Sequence, residues 1–192
     1  MSFTPAFEIG IWNAWIFKSV FLFQMLATML AGKRVRGRSH VPREARRNKL
    51  ERHYGITGNF IWLLALVYSV FLPLQVGTLW FYCGLSVFIL GSILMAAATF
   101  NFITATPDQS ITRGSYSFSR HPMYLTTFFI CLGSGIAAAS WLFIFLSLIL
   151  ALCLYQEALI EERYCLEKYG STYQAYIDRT PRWISVAKKS NR

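Results

Sequence analysis

Residues 79–103 read LWFYCGLSVFILGSILMAAATFNFI, a run of twenty-five positions without an acidic or basic side chain. In lipid such a stretch must satisfy every backbone N–H and C=O within itself, and a helix of about 20 residues does so while crossing the hydrocarbon core. Working outward, similar apolar runs fill residues 8–31, 57–76, 122–139 and 141–160, which predicts an all-α, multi-pass membrane protein of about five helices. The whole chain fits this picture. Of its 192 residues, 55% are hydrophobic and only 15% charged, far more apolar than a soluble domain of that length. The first run carries Lys18 and Gln24 and exceeds the core of a cleavable signal, so a retained helix is expected. A single integral membrane domain, 1–192, follows, divided into N-terminal helices (1–100) and a second half (101–192) that holds the polar motifs.

The net charge of +10 is not spread evenly. Eighteen of the nineteen Lys and Arg fall in three segments: Lys33 to Arg52, Arg113 with Arg120, and Arg163 to Arg192. Five crossings put all three on one face, while the opposite loops near 75–78 and 135–140 carry none. The positive-inside bias makes that face cytoplasmic, with the basic loop 33–54 and the C-terminus inside and the N-terminus outside. Anionic lipid is the partner such a loop suits, at about 1 kcal/mol per basic residue near the surface. Nucleic acid is not expected, because Tyr54 is the loop's only aromatic. Cys83, Cys131, Cys153 and Cys165 lack CxxC spacing and lie in or beside apolar runs, so no metal site is expected.

The last two runs are separated only by a turn around Gly133, Gly135 and Ser140. Short connections force antiparallel arms, which brings Arg120, His121 and Tyr124 beside Glu157, Glu161 and Glu162 at the membrane boundary. Singly, each has an ordinary explanation: proline suits a first helical turn, arginine snorkels, tyrosine favours the interface, and Glu161-Glu162 could end an amphipathic helix. Glu157 weighs differently. A carboxylate so close to an apolar run is costly unless it lines a cavity, and an acidic cavity suits a cationic ligand.

Arg120-His121-Pro122-Met123-Tyr124, a hairpin, and then Glu161-Glu162 resemble the pattern of the isoprenylcysteine carboxyl methyltransferase and phospholipid methyltransferase family. Ile111 to Tyr116 upstream, and Glu167-Lys168-Tyr169-Gly170 with Tyr173, Tyr176, Pro181 and Trp183 downstream, extend the likeness from about Asn101 to Trp183. The resemblance implies an S-adenosylmethionine-dependent methyltransferase without a Rossmann fold, and no GxGxxG follows a strand here. It implies cofactor contacts at Ile111, Tyr116, His121, Pro122, Met123, Tyr124 and Glu161, and a lipophilic acceptor, of the isoprenylcysteine carboxylate kind, entering from the bilayer. Glu157, Glu162 and Arg163 are the candidates near that acceptor, the two acids as bases for an amine.

Two positions depart from the pattern: Asp108, where several relatives have histidine, and Glu157, where an arginine would hold an acidic acceptor. Arg163, six residues on, does not share its helical face. Membrane sterol reductases, which use NADPH, look similar over the same stretch but carry more upstream helices. A non-enzymatic protein whose basic loop binds anionic lipid is the remaining alternative.

Overall fold

The computed structural model describes residues 8–31, 48–106 and 110–184. Six α-helices and one 3₁₀ turn account for the regular structure there, with no strand among the described residues. They are α1 (Trp15–Leu30), α2 (Lys49–Val70), α3 (Leu79–Thr104), the 3₁₀ turn (Gly114–Ser117), α4 (Pro122–Ala137), α5 (Trp141–Tyr169) and α6 (Ser171–Arg179). Helix starts are written in the sequence. The Asn48 side chain accepts from the Glu51 N–H while the Glu51 carboxylate accepts from the Asn48 N–H, closing a capping box on α2. Thr78 caps α3 and Ser140 caps α5 through their hydroxyls, and Pro122 occupies the first turn of α4. Gly170, at φ +54, ends α5.

α3 packs along α4, α4 along α5, and α5 along α2, with α1 set against α2 and α3. The core joins Phe17 of α1, Ile61, Ala65 and Tyr68 of α2, and Phe143, Leu146 and Leu150 of α5. Phe17 stacks on Phe88 of α3 at 3.9 Å between centroids. At Gly84 a Cβ would collide with the backbone nitrogen of Ala137, so only glycine lets α3 and α4 approach this closely. Outward faces are apolar: Leu22, Phe23, Leu63, Ile89, Leu90, Ile93, Phe145 and Leu152 are all exposed, as a surface solvated by lipid requires. Lys18, 5% exposed, is buried among soft partners, its Nζ 3.3 Å from Cys131 Sγ and 4.8 Å from the Phe143 ring centroid.

The expected five crossings meet a different outcome. Two helices, α3 and α5, are long and apolar enough to cross a membrane by length and composition. α1 and α4 are apolar but have 16 residues each, about 24 Å of helix against a hydrocarbon core of about 30 Å. α2 has 22 residues, but its first turns carry Lys49, Glu51, Arg52 and His53. Boundaries shift as well. Residues 8–14 precede α1 as turns tied to the end of α2, with Asn13 Nδ2 donating to Glu8 O at 2.6 Å and Val70 O at 2.7 Å. α5 continues nine residues beyond 160, because hydropathy falls there without any helix breaker before Gly170. Lys33 to Arg47 of the basic loop, and Asp108, lie outside the described residues.

Candidate functional site

Residues Ser119 to His121 lead into α4, and the turn at its far end, with Ala139 at φ +51, returns the chain so that the second half of α5 lies alongside. The short hairpin therefore brings sequence-distant charges together. His121 spans both glutamates, with Nε2 3.1 Å from Glu162 Oε1 and Nδ1 3.4 Å from Glu161 Oε2. Glu162 is 6% exposed, and a carboxylate that deep persists only with several cationic partners. Arg182 supplies the strongest, donating from Nε to Oε1 at 2.9 Å and from Nη2 to Oε2 at 2.7 Å. Arg120 Nη2 stands 3.4 Å from Oε1. Burial lowers the basicity of His121, but the hydrogen bonds and charges of Glu161 and Glu162 outweigh it, holding the imidazole above its ordinary pKa.

Arg182 reaches Glu162 because residues 180–184 fold back over the site after α6. Arg120 N–H donates to Pro181 O at 2.9 Å, and Ser119 Oγ donates to Arg182 O at 3.0 Å. An aromatic layer completes the cover. His121 lies parallel to Tyr124, 5.5 Å between centroids, while Trp183 sits 6.1 Å from His121 and 6.2 Å from Tyr155. The preceding loop is pinned to α3: Asn101 Nδ2 donates to Ser115 Oγ at 2.8 Å, and Gly114, at φ +62, has no room for a Cβ against the Asn101 side chain. Tyr116 is then locked to α6, its carbonyl accepting from Tyr176 Oη at 2.6 Å.

Two clefts meet at this cluster. One, about 90 Å³, lies between the loop, α5 and α6 and is lined by Ser110, Ile111, Tyr164, Cys165, Lys168, Tyr169, Tyr173 and Tyr176. The other, about 480 Å³, runs among the helices and is lined by Phe21 and Gln24 of α1, Trp62 of α2, Pro122, Met123, Tyr124 and Thr127 of α4, and Leu154 and Glu157 of α5. Phe102, Tyr116, Arg120, His121 and Glu161 line both. Small-molecule sites of about 300–1,000 Å³ are usual, so the second has the room of a ligand site while the first is a narrower recess opening from it.

Of the residues singled out in the sequence, Ile111, Tyr116, His121 and Glu161 line the first cleft, and Pro122, Met123, Tyr124 and Glu157 line the second. Glu162 and Arg163 line neither. Consecutive helical residues point about 100° apart, so Glu161 faces the clefts, Glu162 faces the buried arginines, and Arg163 faces α2. There Arg163 grips Glu51 with Nη1–Oε1 2.9 Å and Nη2–Oε2 3.0 Å. Arg182 and the cleft-lining Phe102 and Trp62 escape the sequence motifs. No local pattern in the sequence points to Arg182, which reaches Glu162 through the fold-back of the chain after α6.

No curated protein matches the chain. The family model described as "Phospholipid methyltransferase" matches residues 76–172, half of the chain, from the start of α3 through the hairpin and both glutamates. The fold and the match agree, and the protein belongs to the phospholipid methyltransferase family of integral membrane methyltransferases, which includes the isoprenylcysteine carboxyl methyltransferases.

Proposed function

We propose that the protein transfers a methyl group from S-adenosylmethionine to a lipophilic acceptor, the donor lying in the cleft beside α6 and the acceptor in the cleft among the helices. The observation that carries this is the junction: a tyrosine-lined pocket outside the apolar helices opens at Tyr116, His121 and Glu161 onto a larger pocket between them. The residues suit the donor. Tyr116, Tyr164 and Tyr173 offer faces for an adenine or a sulfonium, and Glu161, its side chain 38% exposed, can accept from ribose hydroxyls or the amino group. Bound there, S-adenosylmethionine supplies an electrophilic methyl group. The chain's own contribution is alignment and exclusion of water, since an in-line displacement needs no covalent nucleophile.

For the acceptor, Glu157 is the informative residue, because it lines the helix cleft and not the outer one. An isoprenylcysteine-like carboxylate is already ionised near pH 7 and needs no base, whereas an amine must give up a proton, and Glu157 is the carboxylate placed to take it. Glu162, saturated by Arg182, Arg120 and His121, serves as a positioning residue. The same reading has α3 and α5 cross the bilayer, with the charged end of the hairpin on the cytoplasmic side, following the basic segments.

Titration calorimetry on the detergent-purified protein tests the donor, with NADPH run alongside. Saturable binding of S-adenosylmethionine, weakened about tenfold or more in Glu161→Gln by loss of an ionic hydrogen bond, is the expected result. Binding of NADPH alone transfers the proposal to a reductase, and near-normal donor affinity in Glu161→Gln overturns the role given to that residue.

A further inference from the structure

The cluster holds more positive charge than it uses. Arg182 is fully engaged by Glu162 and Tyr155, and His121 is held between two carboxylates. Arg120 is different. Its side chain is 8% exposed, Nη2 approaches Glu162, and Nε and Nη1 are buried with no hydrogen-bond partner among the described residues. Leaving donors of an ionised group unmatched in a buried place is costly, and proteins accept that cost where a ligand makes the match. Arg120 also lines both clefts. Counting His121 as protonated, the three cations Arg120, His121 and Arg182 face the two anions Glu161 and Glu162, so one negative charge would balance the group.

We propose that Arg120 receives an oxyanion, a carboxylate or a phosphate, at the junction of the two clefts. The proposal rests on the methyltransferase reading for its two sources of such a group: the amino-acid carboxylate of the methyl donor, or the acidic head of the acceptor. A guanidinium is the side chain suited to either, because its planar N–H donors match the oxygens of both groups.

The test compares ligands that differ only in the anion, using full-length protein in detergent and calorimetry as the readout. For the donor arm, S-adenosylhomocysteine is set against its decarboxylated form, S-adenosyl-3-thiopropylamine, which keeps the nucleoside, the thioether and the amine but lacks the carboxylate. For the acceptor arm, lysophosphatidic acid is set against the monoacylglycerol of the same chain length. The wild type is expected to prefer the anionic member of one pair by about tenfold or more, as for a charged hydrogen bond. Arg120→Gln is expected to abolish that preference and Arg120→Lys to keep part of it. Which pair responds identifies the source. A wild type that discriminates in neither pair overturns the proposal without reference to any variant, as does an Arg120→Gln protein that keeps the full preference. Preference for lysophosphatidic acid without any nucleoside binding would support the anion site while sinking the methyltransferase reading.

Discussion

The two ends of the helical bundle are closed by different means. At the end where α4 turns into α5, closure is neutral and dense: Ala14 N–H donates to Leu72 O at 2.8 Å, Gln75 N–H to Ala137 O at 3.0 Å, and Tyr68 Oη lies 3.2 Å from Ser140 Oγ. Gly84 and Gly133 bring the α3 and α4 backbones together there. At the opposite end closure is ionic, with Arg120, Arg182 and His121 converging on Glu162, and open clefts begin beside it. Neutral close packing leaves no room for a ligand. Charges held by other charges keep a cavity open and can be rearranged by what enters it, so the difference separates scaffold from site.

That separation breaks most visibly at Glu162. Glu162→Ala leaves the buried Arg120 and the partly exposed Arg182 without their shared carboxylate, and a loss of about 3 kcal/mol is expected, the low end for breaking a buried pair on one side. Thermal unfolding in detergent reads it. At the neutral end, Gly84→Ala drives a methyl group into the Ala137 backbone and should cost about 1–3 kcal/mol, as overpacking does, while ligand affinity in the folded fraction stays within a few-fold of normal. Equal loss of affinity in Gly84→Ala would show that the ends are not independent.

A smaller effect concerns pH. Since the folded-state pKa of His121 is raised, the stability it contributes is complete below its unfolded value of about 6.5 and fades as pH rises through the higher folded value. Melting temperatures measured from pH 6 to pH 9 should fall with pH in the wild type, and the fall should be shallower in His121→Gln. The smallest change is expected from Arg163→Ala. Its ion pair with Glu51 is half-exposed on the arginine side and lies on the face turned away from the clefts, so less than about 1 kcal/mol should be lost and donor affinity should be unaltered.

The helical class, and the meeting of His121 with the glutamates, were legible because apolar run length and a short turn each have one structural solution. Other features depend on information that a local pattern does not carry. Hydropathy reports where lipid ends and not where a helix ends, so the extension of α5 to Tyr169 passes unnoticed. Motif spacing groups Glu161 with Glu162, yet the helical turn between neighbours gives one to the clefts and the other to the arginines. Arg182 joins the site only through the course of the chain after α6, which no periodicity encodes. The partner of Arg163 is hidden for a related reason: Glu51 lies more than a hundred residues upstream.

The fold-back of residues 180–184 also bears on the order in which the protein is made. Translation yields α1 through α5 before Pro181 and Arg182 exist, so Glu162 must enter its surroundings with Arg120 and His121 as its only cationic neighbours from the cluster. The last ion pair and the Trp183 cover come from residues made after those helices. A nascent chain halted before Arg182 would therefore hold the helices with an unfinished ion cluster.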